Sequence, residues 1–102
     1  MKSIIGKIID SLARVDINSV LEREGLWMNS ISIRSASGQL MVMVVTIECG
    51  FIGHYGLCEV MFGFDITEPD AGFDERMIGR LQFSAKQQVR ESRGEKHNAG
   101  VR

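Results

Sequence analysis

Ile4, Ile5, Ile8, Ile9, Leu12 and Val15 recur at three- and four-residue intervals, with Lys7, Asp10 and Arg14 between them. An α-helix turns once in 3.6 residues, so this spacing predicts a first helix with one apolar stripe. Asp16 and Ser19 have side chains that accept backbone N–H bonds at helix starts, and Ser19-Val20-Leu21-Glu22 has the reciprocal capping-box spacing. A break near Asp16 and a short second helix ending at Gly25 follow, with one bent helix as the alternative.

From Leu26 the period changes to two. Trp27, Asn29, Ile31 and Ile33 make one mostly apolar face, and Ser30, Ser32 and Arg34 a polar one, as in a strand with one side on a core. Ser35-Ala36-Ser37-Gly38 reads as a hairpin turn. The strand from Gln39 to about Cys49 is different: Leu40, Val42 and Val44 point one way and Met41, Met43, Val45 and Ile47 the other, so both faces are apolar. Such a strand is central in its sheet. Either each face is covered by one of the flanking helical segments, or both helices share a face and the other is a patch for self-association or a partner. A Gly-rich loop, Gly50 to Gly56, then leads to a third strand with Cys58, Val60, Phe62, Phe64 and Ile66 on one side.

Pro69 and Gly72 interrupt the sheet pattern, and Asp74 is placed to cap a last helix from Glu75 to about Ser92, with an inner stripe of Met77, Ile78, Leu81, Ala85 and Val89. The alternation of Leu81, Phe83 and Ala85 keeps a fourth strand over 80–85 as a rival. The expected fold class is thus α+β: a three-stranded antiparallel meander, four-stranded on the rival reading, between an N-terminal helical segment and a C-terminal helix, in the order α(α)-β-β-β-α. A chain of 102 residues has room for one domain, here 1–92, and residues 93–102 lack apolar periodicity and read as a flexible basic tail. The longest apolar run, Leu40 to Ile47, is far shorter than the roughly 20 residues of a membrane-spanning helix. The N-terminus reads as part of the folded protein rather than a leader, and two cysteines without secretory context point to reduced thiols in a cytoplasm.

The formal net charge of −1 conceals a segregation. Residues 35–75 contain no Lys or Arg and seven carboxylates, Glu48, Glu59, Asp65, Glu68, Asp70, Asp74 and Glu75, whereas residues 76–102 carry seven basic side chains against Glu91 and Glu95. An acidic sheet and loop suit docking on a basic surface of another protein, such as a nucleic-acid channel. The carboxylates of 65–75 do not follow the order of a calcium-binding EF-hand loop. Arg76, Arg80, Lys86, Arg90 and Arg93 point to the opposite kind of partner, a phosphate backbone.

Chemistry-bearing groups are sparse. Cys49, His54 and Cys58 are thiol and imidazole donors near one hairpin end, but they supply three zinc ligands at most and lack the usual C-x2-C anchor. No phosphate-binding glycine motif opens a helix, and no nucleophile–base pair with an orienting third group is evident. The function expected is therefore a non-catalytic protein-interaction module without a cofactor, an inhibitor or adaptor for a basic, nucleic-acid-handling partner. Homodimerisation is a further expectation. The acidic contacts would be Glu59, Asp65, Glu68, Asp70, Asp74 and Glu75, and the hairpin tip would add Phe51, Ile52 and Tyr55 as apolar anchors. A nucleic-acid-binding domain is the alternative, and a metal protein using Cys49, His54 and Cys58 the second alternative.

Overall fold

Ser3 opens the first helix by accepting the Gly6 N–H on its hydroxyl at 3.1 Å, which supplies one of the partners that the first turn of a helix lacks. In the computed structural model, which describes residues 3–36 and 39–101 with side chains over 3–36 and 41–93, α1 spans Ile4–Arg14 and α2 Ile17–Arg23. Asp16, rather than Ser19, caps α2: its carboxylate accepts the Ser19 N–H at 3.1 Å and the Ser19 hydroxyl at 2.7 Å. The strands are β1 Leu26–Ala36, β2 Gln39–Phe51 and β3 Leu57–Asp65, and the last helix is α3, Phe73–Val101. Ser37 and Gly38 of the expected turn lie outside the described residues.

The strands form one antiparallel sheet in the order β1-β2-β3, so the strand with two apolar faces is central. The fold class is α+β in the expected element order. Met43, Val45, Ile47 and Cys49 of β2 and Val60, Phe62 and Phe64 of β3 join one buried cluster with Ile8, Leu21, Leu26, Met77, Leu81 and Ala85. All three helices therefore cover the same face of the sheet.

Three local readings change with the tertiary structure. Along β1 the register shifts between Met28 and Ser30, leaving Asn29 as an extra residue. Such a bulge turns every preceding side chain to the opposite face. Met28 consequently packs on the core with Ile33, while Trp27 joins Ser30, Ser32 and Arg34 on the other side. In α1 only Ile4, Ile8 and Ser11 are buried, and Ile5 and Ile9 are exposed. In α3, Ser84 is buried beside Ala85 while Ile78 is exposed.

Residues 80–85 belong to α3, which removes the fourth strand, and the helix runs on to Val101 rather than ending near Ser92. Gly72, at φ 73°, makes the left-handed turn into it, a conformation that favours glycine. The helix starts at Phe73, so Asp74 lies inside the first turn instead of capping it.

Candidate functional site

Six of the seven carboxylates of the acidic segment fall into two groups, with Glu75 apart from both. Asp65, at the end of β3, accepts the Thr67 N–H at 2.8 Å and its hydroxyl at 2.6 Å, and the Thr67 hydroxyl and backbone bonds hold the carboxyl below its ordinary range. Glu68 receives Arg76 Nε and Arg80 Nη2, both at 2.8 Å. Burial pulls its carboxyl up, but Arg80, by hydrogen bond and charge, and Arg76 together hold it below normal. Asp70 meets Lys7 Nζ at 2.8 Å. Asp74 takes a two-pronged contact from Arg14 at 2.9 Å and the hydroxyl of buried Ser11 at 2.6 Å, and is lowered to about 2, first by the Arg14 bond and then by Ser11.

The acidic loop is thus tied down by internal contacts, with Asp65 and Asp70 still exposed to solvent. Four of the proposed acidic contacts, Asp65, Glu68, Asp70 and Asp74, already hold intrachain partners, and two of the proposed nucleic-acid contacts, Arg76 and Arg80, are among those partners. Charge that is segregated along the sequence becomes complementary in space, because the β3–α3 connection returns under α1 and beside the first turns of α3. Glu75 is exposed in the first turn of α3.

The remaining pair sits elsewhere. Glu48 and Glu59 are directly opposite each other on β2 and β3, on the side of the sheet that carries no helix. Glu48 accepts a hydrogen bond from the side-chain amide of Asn29, and among the described residues Glu59 has no such partner. The open face is ordered in rows across the three strands: Trp27, Gly50 and Leu57; then Ser30, Glu48 and Glu59; then Ser32, Thr46 and Met61; then Arg34, Val44 and Gly63. Its middle forms a shallow concavity of about 520 Å³. Trp27, Leu57 and Met61 are 46%, 65% and 51% exposed.

Gly50 permits the first row, since a Cβ there would stand 2.4 Å from the Trp27 indole. The ring lies over the bare backbone of its cross-strand neighbour, a pairing by which an aromatic covers a strand glycine. Trp27, Leu57 and Met61 were not among the expected contacts. The polar Asn29 in the apolar row of β1 was the available signal, since it marks where the alternation changes phase.

The hairpin tip is split by exposure. Phe51 packs on the core and stacks on His54 at 5.5 Å, while Ile52 and Tyr55 stand out in solvent. Cys49 and Cys58 are cross-strand neighbours on the core face, both free thiols. Burial, then the adjacent Cys58, push the Cys49 thiol up to about 12, and burial raises Cys58 as well. His54, on its ring stack, does not complete a three-donor group with them, and among the described residues no His, Cys, Asp and Glu cluster could hold a metal ion.

The basic residues farther along the described part of α3 follow a different course from Arg76 and Arg80. Lys86, Arg90 and Arg93 are exposed and line a groove with Arg23, Glu24, Gly25 and Val89 at the end of α2. No described helix is long and apolar enough to cross a membrane. Comparison with known proteins finds no family model, no curated protein and no solved structure that this chain matches.

Proposed function

We propose that the protein is a non-catalytic interaction module, an adaptor or inhibitor that lays its open sheet face on a second protein with a basic, partly apolar surface. The observation that carries this reading is the asymmetry of the sheet. Every helix covers one face, while the other presents Trp27, Val44, Leu57 and Met61 around the adjacent Glu48 and Glu59. Like charges directly opposite each other on neighbouring strands destabilise a sheet. A Lys or Arg from a partner, placed between the two carboxylates, turns that repulsion into attraction and selects against acidic partners. The exposed indole and thioether supply the apolar contact that dominates interface energetics.

The test places a photo-crosslinking residue at Thr46, in the centre of the face, and in parallel at exposed Glu22 on α2, in the native host. The expected result is one discrete protein captured from position 46 and not from 22, with the crosslink mapping to a basic surface and disappearing in Glu48→Lys/Glu59→Lys. A crosslink indifferent to that charge reversal, or none from position 46, overturns the reading. So does a stable dimer of the purified protein that Met61→Lys dissolves, because the face then belongs to a second copy.

A further inference from the structure

Nine Lys and Arg residues lie where side chains are described, in 3–36 and 41–93. Lys7, Arg14, Arg76 and Arg80 are ion-paired within the chain. Of the others, Arg34 is on the open face, and Arg23, Lys86, Arg90 and Arg93 all border one groove of about 430 Å³ between the end of α2 and α3. Glu24 is the carboxylate lining that groove, and Arg23 also feels the charge of Asp16. The described cations are thus sorted: one set holds the acidic loop, and four of the other five converge where Glu24 is the one described carboxylate in the lining.

Lys86, Arg90 and Arg93 follow each other by four and three residues on one side of α3, a row about 10 Å long at 1.5 Å per residue. Arg23 faces them from the other wall. We propose that this groove binds the phosphodiester backbone of a nucleic acid. Three of its four cations are arginines, whose planar fork matches phosphate oxygens two at a time. A row of cations along a helix suits a chain of regularly spaced anions. Among the described residues Val89 is the one large apolar side chain in the groove, and none of them is an aromatic anchor of the kind that dominates a protein interface or on which bases would stack. The contact is therefore made to phosphates and is independent of sequence. The groove belongs to the helical layer and the open face to the opposite side of the sheet, so nucleic acid and protein partner can be held together. The two proposals stand on separate residues.

Fluorescence anisotropy of a short labelled duplex and of a single strand, titrated with the full chain at rising salt, tests the groove. The expected binding weakens with salt, log K falling by about 0.9 per phosphate contacted for each unit of log salt on a duplex and about 0.7 on a single strand. Lys86→Glu/Arg90→Glu lowers affinity by about tenfold or more at low salt, and Arg23→Gln reduces the salt slope by about one contact. Arg34→Glu leaves binding unchanged. All substituted residues are exposed, and unchanged melting of each variant confirms that the fold is intact. No binding of either nucleic acid at low salt, or binding insensitive to the groove variants, overturns the proposal. Displacement by polyglutamate as effectively as by unlabelled oligonucleotide also overturns it, because the ligand is then an acidic protein.

Discussion

Asp74 shows how a single residue changes its role when the chain folds. It lies in the first turn of α3, where a carboxylate is favoured by the helix dipole, yet its oxygens are taken by Ser11 and Arg14 of α1. Its folded pKa of about 2 lies below the ordinary 3.8, so its contribution to stability is complete above the unfolded value. That contribution is lost as pH falls from about 4 through about 2. Asp74→Asn is therefore less stable than the parent at neutral pH, and the two denaturation midpoints converge over that acid window. Ser11→Ala removes the buried donor to the same carboxylate and lowers stability by about 1 kcal/mol in urea denaturation. The thiols offer a second test. With its pKa near 12 and no exposed surface, Cys49 stays unlabelled by a thiol reagent at pH 8 until the protein is denatured, while half-buried Cys58 reacts slowly in the native state.

At the level of elements, α3 does more than cover the core. The outer edge of β3 exposes backbone groups that would otherwise template pairing with another chain. The Ser84 hydroxyl accepts the Met61 N–H at 3.1 Å and donates to its carbonyl at 2.8 Å, and Arg80 Nη1 donates to the Gly63 carbonyl at 2.9 Å. Arg80 also lies 4.7 Å over the Phe64 ring, so one side chain joins strand edge, core aromatic and acidic loop. Ser84→Ala uncovers both Met61 groups. The expected result is a loss of about 1 kcal/mol together with faster aggregation, read by light scattering at raised temperature. Glu68→Gln weakens the same assembly from the loop side by leaving Arg76 and Arg80 without their common counter-charge, at a cost of about 1–2 kcal/mol in chemical denaturation.

For the whole molecule, the deciding fact is that the helices occupy one side of the sheet. Two residues of β2 and β3 separate the consequences. Ile47 is buried under the helices, and Ile47→Ala is expected to cost about 2–5 kcal/mol, through lost burial and the cavity left behind. Met61 lies on the open face, and Met61→Ala is expected to change stability by no more than about 0.5 kcal/mol in the same denaturation series. A large loss at Met61 would place that side in the folding core and remove the basis for a docking face.

Much of this architecture was legible in the amino-acid order, because hydrophobic period and local capping act over a few residues. The three- and four-residue spacing of Ile4, Ile8 and Leu12, the alternation of Val60, Phe62 and Phe64, and the doubly apolar stretch from Leu40 to Ile47 determined the element order and the centre of the sheet. The capping position at Asp16, the phase change at Asn29 and the helical state of 80–85 each depended on competition between neighbouring patterns, which packing resolved. Which side of the sheet the helices chose and which charges found each other were decided only in three dimensions. Coulomb energy depends on distance in space, so Lys7 and Arg14 of α1, about 60 residues away in the chain, meet Asp70 and Asp74, while Arg76 and Arg80 of early α3 fold back on nearby Glu68. The groups left over, Glu48 and Glu59 on the open face and the cations of the α2–α3 groove, are what the fold turns outward.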